Sequence, residues 1–201
     1  MIASVILTHP HKESFNHAIF RTAVDFLRGK GVKTYGHDLY AEGFDPVLTE
    51  GELGKEMTKD SFVKRLTEEL VESDLLVFIH PNWWGQPPAM MKGYIDRVFR
   101  PPYAYDYEES ATGGGPPIEK LGGKTGIVFN TSNTPEEREQ GYFHDPLEHE
   151  WKQCVFGFCG IARHHRTMFR IVAESTQEQR MGWLREVEEV LGRYVAPGAG
   201  I

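Results

Sequence analysis

Five short apolar segments alternate with five stretches of helical periodicity, and that alternation constrains the fold more than any other feature of this chain. Ile2 to Leu7, Leu75 to Ile79, Thr125 to Asn130 and Thr167 to Val172 have the length and apolar content of buried strands, and Val32 to Gly36 is a weaker fifth. Between them, Phe15, Ile19, Ala23 and Phe26 fall on one helical stripe. So do Phe62, Leu66 and Leu70, then Met91, Tyr94, Ile95 and Val98, then Trp151, Val155 and Phe158, and last Trp183, Val187, Val190, Leu191 and Tyr194. Gly29 and Gly31 close the first helix. Strands that alternate with helices form a parallel sheet covered on both faces, joined by right-handed crossovers. The expectation is an α/β, flavodoxin-like three-layer fold with a five-stranded parallel sheet in the order 2-1-3-4-5, one domain over residues 1–201.

In that order the switch point lies between strands 1 and 3, and ligands bind where the carboxyl ends of strands meet such a point. The loops that begin at Thr8 and at His80 should therefore flank one ligand. The first, Thr8-His9-Pro10-His11-Lys12-Glu13-Ser14-Phe15-Asn16, has the composition of an anion cradle. Ser14 can cap the helix, the first-turn amides are free, and His9, Lys12 and Asn16 add donors. His9 and His11 lack a third ligand at metal-binding spacing, so no metal is expected.

The second loop follows His80-Pro81, where proline ends the ladder, and carries Asn82-Trp83-Trp84-Gly85 before Pro87-Pro88 presets a helix start. Trp83 and Trp84 between Pro and Gly can lay a π wall and several backbone amides against a planar heterocycle. The exit of strand 4, Asn130-Thr131-Ser132-Asn133-Thr134-Pro135, adds a polar turn at the same edge. Asp96-Arg97 reads as a plain ion pair, and Ser110 to Pro117, rich in Gly and Pro, as a mobile surface loop.

A net charge of -7 argues against nucleic acid or anionic membrane as the main partner. Cys154 and Cys159, five apart on an expected helix, suggest buried reduced thiols. No apolar run approaches the length of a membrane span and the N-terminus does not resemble a signal peptide, so a cytoplasmic protein is expected.

These residues carry a resemblance. His9 with Ser14-Phe15-Asn16 and Ala18, Pro81-Asn82-Trp83-Trp84 through Pro88-Ala89, Lys92-Gly93 and Asp96-Arg97-Val98-Phe99, then Tyr103-Ala104-Tyr105, Gly123-Lys124 and Phe158-Cys159-Gly160, resemble the flavodoxin-like NAD(P)H:quinone oxidoreductases in order and content. The Pro-x-Trp-Trp to Asp-Arg-Val-Phe segment is the specific part. The resemblance implies a bound flavin, FMN or FAD, with its phosphate held by His9, Ser14, Phe15 and Asn16. Pro81, Asn82, Trp83 and Trp84 would contact the ring, and Thr131, Ser132 and Asn133 would lie at its pyrimidine edge, where donors tune the potential. It also implies two-electron, ping-pong transfer from NAD(P)H to a quinone, and a homodimer with Tyr103 to Tyr107 at an interface or pocket rim. Two features depart from the pattern: Asn130-Thr131-Ser132-Asn133 replaces a Thr-Thr-Gly-Gly turn, and Tyr142 and His144, the candidates for catalytic proton relay, lie closer to Cys159. Alternatives are an azo- or nitro-reductase on the same scaffold, a flavin-bearing regulatory subunit of a transporter, and a simple electron carrier.

Overall fold

The computed structural model of the chain describes residues 1–108 and 115–195. The expected Gly- and Pro-rich loop of Ser110 to Pro117 falls largely outside them. Strands β1 (Ile2–Leu7), β2 (Lys33–Asp38), β3 (Leu75–Pro81), β4 (Thr125–Ser132) and β5 (Arg163–Arg170) form one sheet in the order β2-β1-β3-β4-β5. Every neighbouring pair is parallel. This is the expected order, with its switch point between β1 and β3.

Alternation of side chains along the strands feeds two cores. Ala3, Val5, Leu7, Val77, Ile79, Ile127 and Phe129 face α1 (Phe15–Gly29) and the C-terminal helix Gln177–Val195. Ile6, Leu76, Phe78 and Val128 face α2 (Ser61–Glu72), α3 (Ala89–Val98) and the segment that carries Trp151 and Phe156. Residues of β3 and β4 are buried throughout, as strands covered on both faces must be.

Three expectations need correction. The fifth strand begins at Arg163 and ends at Arg170, four residues before the expected start and two before the expected end. Arg163-His164-His165-Arg166 hides it, because an edge strand tolerates polar side chains that a central strand does not. Next, the helix expected around Trp151 is a short α-helix, Pro146–His149, that runs into wider π turns over Glu150–Gly157. In this segment Trp151, Val155 and Phe156 are buried, so Cys154 falls on the other side and is exposed. Cys159 is buried, and burial together with Glu119 pushes its thiol up to about 12.

A long connection, Leu39 to Asp60, is held down by a buried ion pair. Arg97 on α3 donates to both oxygens of Glu52 at 2.8–3.2 Å, to Asp60 at 3.1 Å and to the Asp45 carbonyl at 2.6 Å. Asp96 pairs with Lys92 one turn earlier on α3. The same connection crosses α3 so closely that a Cβ on Gly93 would stand 2.3 Å from the Pro46 carbonyl oxygen.

Candidate active site

The loops after β1, β3 and β4 converge on a cavity of about 430 Å³ at the carboxyl edge of the sheet. Its walls include His9, Ser14, Phe15, Asn16, Pro81, Asn82, Trp83, Thr131, Ser132 and Asn133, ten of the eleven residues expected to hold a cofactor. Ser14 caps α1, its Oγ accepting the His17 amide at 3.4 Å, and the Phe15 and Asn16 amides of the first turn have no intrahelical acceptor. The partial positive charge of that terminus faces the cavity wall.

Cross-links between loops fix the floor. Asn16 Nδ2 donates to Thr131 Oγ1 at 2.8 Å, which ties α1 to the end of β4. The Asn82 amide donates to the Thr131 carbonyl at 2.7 Å, and Asn82 Nδ2 donates to Glu139 Oε2 at 3.0 Å. Ser132 Oγ accepts the Thr134 amide, and Asn133 Oδ1 accepts the Ala173 amide at 2.9 Å. Burial holds the His9 imidazole below its ordinary value, and the ring stands beside Trp83, 5.9 Å between ring centres.

The two tryptophans do not form one wall. Trp83 and Gln86 exchange backbone hydrogen bonds at 3.0–3.1 Å around Trp84 (φ 59°) and Gly85 (φ 71°), a tight turn with both central residues left-handed. Trp83 stays at the cofactor-sized cavity, while Trp84 is thrown fully into solvent. Trp84 lines a second cavity of about 390 Å³ with Gly85, Phe143, Pro146 and Glu139, and the two cavities share Asn82 and Thr134.

Tyr142 and His144 are brought into neither cavity. Tyr142 is exposed, edge-on to Phe143 at 5.2 Å. His144 and Asp145 both have positive φ, and His144 opens onto a separate polar cavity of about 760 Å³ along the β5 edge. Arg166 anchors that region, donating to Glu148 at 2.8 Å, to Asn130 Oδ1 at 3.1 Å and to Asp145. Asn130 therefore serves the interior, bridging Arg166 and His80, which explains the departure at the first position of the β4 exit.

Arg180, on the C-terminal helix, lines the cofactor-sized cavity and is held there by Ser175 Oγ at 2.8 Å and the Val172 carbonyl at 3.0 Å. Glu139 is wholly buried. Glu139 is placed by Asn82, 57 residues away, and Arg180 by the local turn of Val172 to Ser175 that leads into its helix.

The donor set suits a flavin. Asn16 Oδ1 and Asn82 Oδ1 are buried acceptors without partners, an expensive condition that hydroxyl groups of a polyol chain or a ring imide N–H would relieve. The α1 amides and Ser14 suit a phosphate, and Trp83 suits a planar ring.

A family model described as having a flavodoxin-like fold matches residues 1–191. An uncharacterised NAD(P)H oxidoreductase of Haemophilus influenzae is 27% identical over 205 residues, covering 92% of this chain and 98% of that protein. NAD(P)H dehydrogenase (quinone) 1 of Rattus norvegicus is 30% identical over 226 residues, covering 98% of this chain and 81% of its own length. The crystal structure of Smu.1420 from Streptococcus mutans superposes with a TM-score of 0.81 at 29% identity, covering 94% of this chain and 98% of that one.

Proposed function

This chain belongs to the flavodoxin-like NAD(P)H:quinone oxidoreductase family, and from that premise we propose that it moves two electrons from NAD(P)H, through a bound flavin, to a quinone or similar planar acceptor. One observation carries the reading: a polar cavity that can hold a phosphate, a polyol and a ring shares Asn82 and Thr134 with an aromatic cavity beside it. An electron carrier needs only an exposed ring edge. A second, aromatic compartment against the first serves a flat substrate that stacks and leaves, which favours an enzyme whose donor and acceptor follow one another through the same space.

The chain's own residues bind and orient. Ser14, His9 and the α1 amides hold the phosphate, Asn16 and Asn82 accept from polyol or imide hydrogens, and Thr131, Ser132 and Asn133 line the same cavity as Trp83. Trp84, Phe143 and Pro146 shape the acceptor space. When bound, the flavin supplies two-electron transfer between nicotinamide and acceptor, and the protein supplies orientation and electrostatics. A homodimer belongs to the same proposal, supported by the exposure of Trp84, Tyr107 and Tyr142.

The test is to purify the protein, read its flavin spectrum before and after reconstitution, and follow NADH and NADPH oxidation with and without a benzoquinone. Flavin binding with quinone-dependent turnover is expected. Failure to bind any flavin overturns the reading, and flavin without turnover favours a carrier or regulatory subunit.

A further inference from the structure

Behind the α1 terminus three side chains form a relay. His17 Nδ1 lies 2.9 Å from Ser14 Oγ, and His17 Nε2 lies 2.9 Å from Asp38 Oδ2 at the end of β2. Asp38 is itself fixed, its Oδ1 accepting the Ala41 amide at 3.2 Å. The His17 ring is buried, and Ser14 lines the cavity. Asn16, next to Ser14 and also buried, keeps its Oδ1 unpartnered at the same wall, a second sign that this terminus awaits a ligand.

The hydrogen count decides what this relay does. A carboxylate only accepts, so Nε2 carries a hydrogen toward Asp38. In neutral His17 the other nitrogen, Nδ1, is then bare and takes the single hydrogen of Ser14. Ser14 has none left for the cavity and turns lone pairs toward any anion there. Once Nδ1 is protonated the direction reverses: Nδ1–H donates to Ser14 Oγ, and the Ser14 hydrogen is free for a phosphate oxygen. The imidazolium formed beside Asp38 also adds one positive charge behind the seat. Other charged and titratable groups near His17 are His9, whose ring stands edge-on at 6.3 Å and which burial keeps below its ordinary value, and His11, from the same loop. Glu13 and Arg180 face the same cavity, one of each sign.

We propose that Ser14, His17 and Asp38 form a proton-coupled phosphate seat, in which His17 takes up one proton as a terminal phosphate binds. The added charge favours a dianionic phosphomonoester over a diphosphate diester, so the seat selects FMN over FAD. This rests on the flavin reading above and names the form of flavin.

The test is titration calorimetry of the flavin-freed protein with FMN, FAD and riboflavin, in pairs of buffers that differ in ionisation enthalpy. It is run above the FMN phosphate's own second pKa of about 6, where the free ligand is already a dianion. Uptake approaching one proton per FMN is expected, with affinity falling by up to about tenfold per pH unit as pH rises. Riboflavin, lacking the phosphate, takes up none and shows no such slope. His17→Gln offers Ser14 an amide hydrogen that does not titrate, so uptake and slope both disappear while FMN still binds. His149→Gln, on the separate polar cavity along the β5 edge, keeps both. FMN binding by the unaltered protein without proton uptake overturns the coupling, whatever the variants do. Equal uptake and affinity for FAD overturn the selection. Absence of binding by every flavin overturns the flavin reading itself.

Discussion

The indole N–H of Trp151 donates to His80 Nε2 at 3.0 Å, 71 residues away and inside the core. The other ring nitrogen, Nδ1, gives its hydrogen to the Pro81 carbonyl at 2.9 Å. Both nitrogens are thus committed in the neutral ring, and burial holds His80 down to about 4, the nearby Arg166 adding to the effect. The strand exit that presents Trp83 is therefore anchored from beneath by a histidine that must stay uncharged.

That commitment makes stability depend on pH. Unfolded histidine takes a proton near pH 6.5 and folded His80 only near 4, so the unfolded state binds the proton first as pH falls. The contribution is complete above 6.5 and is lost on acidification to 4, about 3 kcal/mol in all. Urea unfolding across this window should show the loss, and His80→Gln should flatten it. An unchanged slope in that variant would assign the acid sensitivity elsewhere.

The Arg97–Glu52 pair carries a larger single risk. Burial works against the Glu52 carboxylate, but Arg97, Thr49 and Thr58 outweigh it and hold the group down to about 2. Replacing Glu52 with Gln leaves a buried guanidinium half-compensated, with an expected loss of about 3–5 kcal/mol. Denaturant midpoints measure it, and a loss below about 1 kcal/mol would show that the connection repacks around Asp60.

Gly93→Ala puts a methyl 2.3 Å from a backbone carbonyl of Pro46, which cannot swing aside as a side chain would. The expected cost is about 1–3 kcal/mol, read as a lower melting temperature. Gly122→Ala, with open space around its Cβ, is the matched control.

Because the turn divides the tryptophans, their substitutions should separate. Trp83→Ala is expected to weaken flavin binding by roughly tenfold, the value of one aromatic contact. Trp84→Ala should leave flavin affinity unchanged and raise the KM for a quinone. Identical effects of the two on flavin binding would restore the single-wall arrangement.

Tyr142→Phe and His144→Gln test whether those side chains relay protons. General acids contribute about 100-fold or more. With both outside the two cavities, turnover with a benzoquinone is expected to change far less than that. A loss of 100-fold in either variant would bring that segment into the reaction.

The site was legible wherever position in the fold follows from local pattern. The apolar runs Ile2 to Leu7 and Leu75 to Ile79, followed by polar loops with Ser14 and Trp83, place two loops at a switch point by topology alone. What stayed hidden depends on partners far along the chain. Arg163 to Arg166 concealed a strand because edge position, not composition, makes charge acceptable there. His17 acquires its partner only because Asp38 arrives from β2, 21 residues along the chain. Glu139 and Arg180 reach the two cavities through contacts 57 residues away, with Asn82, and from the C-terminal helix.

Local pattern sets the layering, the sheet order and the loops that meet at the sheet edge, because hydrophobic period and turn chemistry survive without knowledge of neighbours. Tertiary packing alone makes Trp83 and Trp84 face different cavities, turns Asn130 inward to His80 and brings Ser14 Oγ within 2.9 Å of His17 Nδ1. Those outcomes rest on the direction of a single side chain or backbone turn, which is set by the atoms packed against it and not by the residues beside it in the chain.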